Sequence, residues 1–483
     1  MKTAELAIIG GGPGGVVAAI EAAKAGVRVT LIDENQRPGG QIYRQFEKGF
    51  KITDPEVLGE DYEKGLDLLR QFSSLNDKIE YLNNATVWGI FDNNTLAFAR
   101  NGASSSLSYR KLLVANGAYD RPVPFPGWTL PGVLTAGGAQ KLVKTERILP
   151  GKNILIAGTG PLQLVLAHQI LTTGGKIEAI LEAGNINKNW FQVLKGIWGN
   201  WDYLKEGWKY LRSIQKSGVP LLYNHILLEA RGDGRVEEAV FVKVDENWRP
   251  RPGTERTVKV DTICSGYGLV PSTELTMLAE SEHKYDQLLG GYIPVRSENM
   301  ETTVPGIYAV GDGAGVAGSK VAIEEGRIAG TSIACSLGHI SDASADKFIE
   351  HSRRRMDRYN RLRKVLDKMS MPRPGLYELA KEDTVICRCE EITFKEIKTA
   401  MVDGTTRVKD LKRKTRVGMG PCEGRMCGPA LIEIMRIHSN TSPEGDGYLN
   451  PRPPIRPIAL GVLAAGTAKV KKLEKHKEAV NVS

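Results

Sequence analysis

Four of the six cysteines in the 483-residue chain fall into two close pairs. Cys387 and Cys389 lie in VICRCEEIT, and Cys422 and Cys427 in MGPCEGRMCGPA, giving C-x-C-x32-C-x4-C. Four thiolates so arranged suit an iron–sulfur cluster or a tetrahedral zinc site. Zinc knuckles ordinarily use C-x2-C, and neither pair has that spacing, so iron is the better reading. Gly420, Gly424 and Gly428 flank the second pair and allow backbone N–H groups to approach sulfur, which tunes potential. Arg388, Arg413, Arg416 and Arg425 neighbour the thiols in sequence. They would offset the negative charge of a cluster, although any one of them reads equally well as a solvated surface side chain. Cys264 and Cys335 are 71 residues apart and form no C-x-x-C, so both are expected to be buried apolar residues rather than a disulfide-reductase pair.

The second chemistry-bearing pattern is a glycine turn. AELAII is a short apolar strand, followed by Gly10-Gly11-Gly12-Pro13-Gly14-Gly15, a small-residue helix and the strand VRVTLIDE. This is the strand, turn, helix and strand context that a dinucleotide fingerprint needs. Gly10 permits the tight turn, Gly12 lets backbone approach a pyrophosphate, and Gly15 lets helix pack on strand. The helix N-terminus then presents unpaired N–H groups to the phosphates. Asp33 ends the second strand, 23 residues after Gly10, where a carboxylate can accept from ribose hydroxyls. A second unit starts with KNILIAG, then Gly158-Thr159-Gly160-Pro161-Leu162-Gln163, a helix and KIEAILE. Gln163 replaces the third glycine and is expected to hold helix and strand apart. Glu182 ends the following strand. This unit could hold NAD(P), another adenine nucleotide, or nothing.

These elements sit in a chain of ordinary globular composition, 41% hydrophobic and 25% charged, long enough for about three folded units. No apolar run approaches the roughly 18 residues of a membrane span, and MKTAELAIIGGG enters a strand without the regions of a signal peptide. A cytoplasmic location is expected, with peripheral attachment at the inner face of the cell membrane also compatible. The net charge of +9 is uneven: residues 346–483 hold 29 Lys and Arg against 18 Asp and Glu, and the rest hold 36 against 38. No nucleic-acid recognition motif accompanies this basic third, so docking or compensation of an anionic cluster fits it better. Four of the seven Trp fall within residues 190–210, beside Phe191, Tyr203 and Tyr210. An amphipathic helix packed on its own domain is expected there in preference to an exposed docking face. Pro372 and Pro374 end a charged helical stretch. A Pro-rich segment and a Lys-rich tail close the chain, and the tail is expected to be poorly ordered.

The fingerprint, PGGQIYR (38–44), LLVANGAYDRPVPFPGW (112–128), SGYGLVPSTEL (265–275) and GIYAVGDG resemble the two-dinucleotide-binding-domain flavoproteins built like glutathione reductase. The closer resemblance covers nearly the whole chain. It is to the alpha subunits of the hydrogen cyanide synthase, opine oxidase and D-hydroxyproline dehydrogenase complexes, with a C-terminal module like bacterioferritin-associated ferredoxin. The implied fold is α/β, with two Rossmann-type units and a small helical [2Fe-2S] domain. The FAD unit would use residues 1–145 and 286–345, and the second nucleotide unit 146–285. A helical linker would follow at 346–380, the [2Fe-2S] domain at 381–440 and a tail at 441–483.

The resemblance places FAD on Gly10, Gly12, Pro13, Gly14 and Gly15, on Asp33 and Glu34, and on Gly40 and Gln41. It adds Val87, Ala115 and Gly117, where Ala115-Asn116-Gly117 carries Asn in place of the usual Thr, and Gly311 with Asp312 on the ribityl and phosphate side. Gly158, Gly160 and Glu182 would serve a second adenine nucleotide, ATP or NAD(P), and Cys387, Cys389, Cys422 and Cys427 a [2Fe-2S] cluster. FMN at a subunit interface is also compatible. The implied partner is a beta-subunit flavoprotein, glycine- or sarcosine-oxidase-like, that oxidises the amino acid, imino acid or opine, with room for a further small subunit. Electrons would pass onward to a quinone or respiratory acceptor. The competing readings are a self-sufficient NAD(P)H reductase and a scaffold with relic sites. The intact Gly10–Gly15 turn, Asp312 and four cysteines argue against the scaffold.

Overall fold

The computed structural model describes residues 2–46, 49–50, 60–92, 94–184, 199–439 and 448–465. The chain opens with β1 (Lys2–Ile9), α1 (Pro13–Lys24), β2 (Val29–Ile32), α2 (Glu60–Ser73), β3 (Ile79–Leu82), β4 (Ala85–Phe91), β5 (Thr95–Arg100), β6 (Ala103–Val114) and β7 (Ala118–Asp120). A seven-stranded sheet forms in the order β3-β2-β1-β6-β5-β4, and a later strand joins it on β6. β1 runs parallel to both neighbours, with Leu6 opposite Val29 on one side and Lys111 on the other. The parallel part of this sheet is covered on both faces, so its central strands bury successive side chains, as Leu6 to Ile9 do.

The second unit follows: β8 (Val133–Thr135), α3 (Ala136–Lys141), β9 (Ile154–Gly158), α4 (Pro161–Thr172), β10 (Ile177–Glu182), α5 (Trp201–Ser217), β11 (Leu221–Tyr223), β12 (His225–Arg231), β13 (Glu238–Lys243), β14 (Arg256–Lys259) and β15 (Thr262–Gly266). Its parallel sheet has the order β11-β10-β9-β15-β8, with β12-β13-β14 as a separate antiparallel layer. β8 pairs with β15 through Ile263↔Val133, so the second sheet draws on chain before residue 146.

The chain then returns to the first unit through β16 (Leu269–Pro271), α6 (Glu274–Leu278), β17 (His283–Asp286), β18 (Gly291–Pro294), β19 (Ile307–Ala309) and α7 (Ser319–Ser336). β19 is the strand that joins β6. α7 and α1 pack at backbone contact. A Cβ on Gly326 would lie 2.3 Å from Gly14 O, and one on Gly330 2.6 Å from Ala18 O. The long α8 (Asp342–Ser370) ends at Met371, just before Pro372, as the proline requires.

The C-terminal unit contains β20 (Val385–Cys387), β21 (Ile392–Thr393), α9 (Phe394–Val402), α10 (Val408–Thr415) and α11 (Gly428–Ser439). A capping box between Thr393 and Glu396 starts α9. Ile386, Ile397, Leu411, Leu431 and Ile434 share one buried apolar core with Leu155, Leu181 and Phe241 of the second unit. The Pro-rich segment packs as well: Ile455 is buried in the first unit's core and its N–H bonds Trp88 O. The Lys-rich tail lies outside the described residues.

Two expectations about side chains need correction. Trp201 and Trp208 are 61% and 62% exposed on α5, although Tyr203 and Tyr210 of the same helix are half-buried. The helix turns its tyrosines and Ile214 inward, so its tryptophans face outward. Trp190, Phe191 and Trp198 lie outside the described residues. Cys264 is fully buried, but Cys335 is only half-buried, with Sγ 2.9 Å from Asp342 Oδ1.

Candidate functional site

The turn after β1 is held by backbone contacts that leave no room for side chains. A Cβ on Gly10, at φ +103, would lie 2.3 Å from Ala115 O, and one on Gly15 would lie 2.0 Å from Gly10 O. Gly14 is constrained by Ala322 O at 3.0 Å, and Pro13 opens α1 at a position whose N–H has no helical partner. Gly12 differs. A Cβ there would meet only Gly40 Cα, at 4.0 Å, and Gly40 (φ +62) faces it. A Cβ on Gly40 would in turn lie 2.7 Å from Gly12 Cα, so the two glycines meet backbone to backbone at the positive end of α1, and no side chain stands between that helix start and a pyrophosphate.

Asp33 sits below this turn. Gly11 N–H donates to Oδ2, and Asn35 donates to Oδ1 through its backbone and its amide, at 2.6 and 2.8 Å. A carboxylate offers about four lone-pair directions, so one remains on Oδ2 for a ribose hydroxyl. Glu34 and Gln41 are exposed at the rim, and Arg44 Nη2 donates to Gln41 Oε1 at 3.2 Å. Val87 buries its side chain in the core, so only its main chain is available to a ligand.

The far end of the same crevice is built from Ala115 to Gly117 and from Gly311 onward. A Cβ on Gly313 would lie 2.6 Å from Asn116 Oδ1 and 3.1 Å from Gly117 N. Gly117, at φ +73, has open space beside it. Ala317 and Gly318 N–H donate to Asp312 Oδ1, both at 2.8 Å. Asn116 Oδ1 is buried with no partner. An orphaned acceptor, a carboxylate with an oxygen to spare and a glycine cradle fit the ribityl and flavin half of FAD. Glu325 was not evident from the sequence. Its Oε2 accepts from Gly311 N–H at 2.7 Å while Oε1 meets Arg296 Nη2 at 2.5 Å, fixing the turn that carries Asp312. Burial pushes the Asp33 and Asp312 carboxyls upward, against the pull of the donated N–H groups.

The second turn is closed. Glu182 Oε1 accepts from Thr159 Oγ1 and Gly184 N–H, both at 2.8 Å. Its Oε2 accepts from Gly160 N–H at 3.0 Å and Gln163 Nε2 at 3.2 Å. Four donors fill the carboxylate, so the expected ribose contact has no lone pair left. Gln163 is fully buried and uses its amide to fill the gap between α4 and β10, so it is a filler more than a wedge. The end of α8 covers the mouth: Ser370 Oγ is 3.1 Å from a would-be Cβ on Gly160, and Met369 O is 3.1 Å from one on Gly184. Gly158 packs against Gly266. Beyond Gly184 lies a cleft of about 640 Å³ where Lys243, Arg251, Lys368 and Arg373 outnumber Asp245 and Glu246.

The four thiols are brought together in two pairs. Cys387 and Cys427 are buried and hydrogen-bonded to each other. Cys389 is exposed, Cys422 half-buried, and they bond each other. The bond from Cys427 draws the Cys387 thiol down to about 5; burial opposes it, and the N–H groups of Gly418, Glu390 and Cys389 assist. Among the described residues no three His, Cys, Asp or Glu side chains surround a single ion position. Two thiol pairs fit a two-iron cluster, in which each iron takes two cysteines, better than one zinc centre. Gly420 is required here, since a Cβ would lie 2.1 Å from Cys389 Cβ. Of the four arginines, Arg413 and Arg416 are exposed beside Asp410 and Glu390, and Arg388 stacks on Trp128 at 5.5 Å. Only Arg425 is turned inward, onto Glu274.

A strip of tyrosines separates the two sites. Tyr119, two residues beyond Gly117, is hydrogen-bonded to Tyr448, and both are half-buried. The Tyr448 hydroxyl is 2.9 Å from a would-be Cβ on Gly428, next to Cys427. Its ring packs on Tyr292 at 5.1 Å. Tyr448 belongs to the segment expected to be a tail, and nothing local in the sequence marks it.

A glycine turn at a helix N-terminus, a return strand ending in Gly-Asp and a paired-thiol module together define a FAD-dependent oxidoreductase with an iron–sulfur domain. The chain belongs to the pyridine nucleotide-disulphide oxidoreductase family, whose profile matches residues 4–329, and the BFD-like [2Fe-2S] binding domain matches residues 385–436. It is similar to hydrogen cyanide synthase subunit HcnB of Pseudomonas aeruginosa, 35% identical over 454 residues that span 93% of this chain and 96% of that one. It is also similar to an opine oxidase subunit of Rhizobium meliloti, 34% identical over 463 residues, 95% of this chain and 97% of that one. The solved L-proline dehydrogenase of P. horikoshii shares the fold, with a TM-score of 0.69 at 20% identity, covering 95% of this chain and 79% of that chain. The chain is thus a flavin and [2Fe-2S] oxidoreductase subunit related to HcnB and to its opine oxidase counterpart.

Proposed function

We propose that this chain is the electron-transfer subunit of a complex that oxidises an amino acid, imino acid or opine. It would take electrons from the flavin of a partner beta subunit and pass them to an external acceptor. The observation that carries this reading is the contrast between the two nucleotide folds. The Gly12 turn carries no side chain and Asp33 keeps one acceptor direction, whereas Gly160 and Glu182 are satisfied internally and covered by Ser370. A chain whose second nucleotide turn is closed in this way would receive its electrons from elsewhere.

Bound FAD would supply two-electron chemistry and a [2Fe-2S] cluster one-electron transfer, so the pair would convert between them. The residues present do the rest. Gly12, Gly40 and the start of α1 bind the phosphates, Asp33 the ribose, and Asp312 with Asn116 orient the flavin half. Cys387, Cys389, Cys422 and Cys427 would hold the cluster, and Tyr119, hydrogen-bonded to Tyr448, links the loop after Gly117 to the one that carries Cys427. A second adenine nucleotide would have to sit in the basic cleft beyond Gly184, off this route, and an FMN would have to be shared with the partner.

Stopped-flow reduction tests the reading. Mixing the isolated FAD-loaded chain with NADH or NADPH should leave the flavin oxidised on the timescale of turnover of the complex. Substrate should bleach it only when the beta subunit is present. Rapid bleaching by NADH alone would replace this reading with that of a self-sufficient reductase.

A further inference from the structure

We infer that the outer face of α5 is a membrane-surface docking site that takes anionic phospholipid. Successive residues of a helix turn by about 100°. On that wheel Leu211, Leu204, Trp208 and Trp201 share an arc of about 80°, with Gln215 among them in the last turn. All four are exposed, at 39%, 40%, 62% and 61%. The adjoining arc of about 60° carries Arg212, Lys205, Lys216 and Lys209, also exposed. Asp202 and Glu206 come after the basic arc, and Tyr210, Tyr203 and Ile214 complete the circle against the protein. An apolar strip and a basic strip therefore run side by side along a helix of 17 residues, about 25 Å.

That arrangement is what a helix lying in the plane of a bilayer surface requires. The apolar strip enters the boundary of the acyl chains while the cations stay among the headgroups, and tryptophan favours that depth. Arg212 lies 4.8 Å from the centre of the Trp208 ring, so the charge is held at the edge of the apolar strip. A protein interface ordinarily surrounds its apolar centre with a rim of mixed polarity. Here the rim beside the apolar strip is basic over its whole length, which complements a negatively charged lipid surface. The helix is anchored on its inner side: it packs on α4, and its first turn meets Lys320 at the start of α7, where Tyr203 lies under the ammonium at 3.9 Å. The docking face is therefore rigidly joined to the element that follows Asp312.

The test is flotation of the purified full chain with vesicles of phosphatidylcholine alone or mixed with phosphatidylglycerol, with tryptophan emission recorded in parallel. The chain should float with the mixed vesicles, release in high salt and shift its emission to the blue. Trp208→Ser with Leu211→Ser should lower binding by about tenfold or more. Lys205→Gln with Lys209→Gln and Arg212→Gln should lower it by about fivefold per charge removed on mixed vesicles, and leave phosphatidylcholine unaffected. Each variant is first checked for unchanged FAD content and circular dichroism. The proposal is overturned if the parent chain stays at the bottom of the gradient with mixed vesicles, or if both variants bind as it does. It is also overturned if the Trp208 and Leu211 variant floats normally but no longer retains its co-expressed beta subunit, which would make the face a protein interface.

Discussion

Arg425 Nε lies 2.7 Å from Glu274 Oε1, and each side chain is only 14% exposed. The pair joins the loop that carries Cys422 and Cys427 to α6 of the first unit, and Arg425 Nη2 also donates to Ile455 O at 3.1 Å. Three segments distant in sequence meet on one guanidinium. Glu274→Gln leaves a mostly buried cation without its counter-ion, which for a partly solvated pair should cost about 2 kcal/mol. Amide exchange across residues 418–428 should speed up while the β1–β6 core stays protected. Unchanged exchange in the loop would mean that the pair does not hold the two units together.

Gly12→Val should abolish flavin retention without unfolding the chain. A Cβ at Gly12 meets no protein atom closer than Gly40 Cα at 4.0 Å, and the residue's φ of −72 suits any side chain. The valine methyls would instead stand where the pyrophosphate is expected, an overlap of about 1–3 kcal/mol, roughly five- to 150-fold in affinity. Absorbance at the flavin band per purified chain reads the outcome. A full flavin complement would show that the pyrophosphate does not lie there. Gly15→Ala is the contrasting control, because its Cβ would strike Gly10 O and should destabilise the fold itself.

The first cradle is legible in the sequence because its requirements are local. Gly15 answers a contact with Gly10 made within the turn, the glycine spacing follows from the helix start, and Asp33 comes at the end of the next strand, although Gly10 also meets the distant Ala115. The cysteine spacing is legible for the same reason. The closure of the second turn is not. Glu182 and Gln163 are both visible, but their hydrogen bond depends on side-chain packing, and Ser370 reaches Gly160 from 210 positions away. Arg425 and Glu274 are 151 positions apart, and Tyr448 reaches Gly428 from a segment with no periodic pattern. The exposed face of α5 escapes a sequence reading because amphipathicity shows that a helix has two faces and does not say which one is covered. The start of the second sheet escapes it because β8 has three residues and no readable alternation.

The buried histidines should each subtract stability as the pH drops below about 6.5, their ordinary range, against the opposite contribution of raised carboxyls such as Asp367. Burial lowers the pKa of His168, His225 and His283 in the folded chain. The unfolded chain then binds more protons than the folded one between the lowered and the ordinary value, so stability rises with pH across that interval and is lost as pH falls through it. His283 is held from both ring nitrogens, with Nε2 2.9 Å from Thr276 Oγ1 and Nδ1 2.7 Å from Ser281 O. His283→Gln cannot take up the proton and should flatten the acid limb of a melting-temperature profile. An acid limb of unchanged slope would remove His283 as a contributor.

The cluster assignment is best tested at its outer pair. Cys387 and Cys427 are buried in the core shared with the second unit, so replacing either one disturbs packing as well as ligation. Cys422 is half-buried beside the exposed Cys389, and no core residue depends on it. Cys422→Ser therefore separates ligation from folding, because the hydroxyl is close to the thiol in size and is a much poorer ligand for iron. The parent chain, purified without oxygen, should carry about two irons with matching sulfide. The variant should lose most of that iron or show a shifted paramagnetic signal on reduction, while FAD content stays the same, since the Gly12 cradle belongs to a different unit. In the assembled complex its dye-linked turnover should fall by about tenfold or more, as expected when an electron-transfer step is interrupted. Stoichiometric zinc with no iron in the parent chain would overturn the assignment, and so would undiminished turnover in a Cys422 variant that had lost its iron.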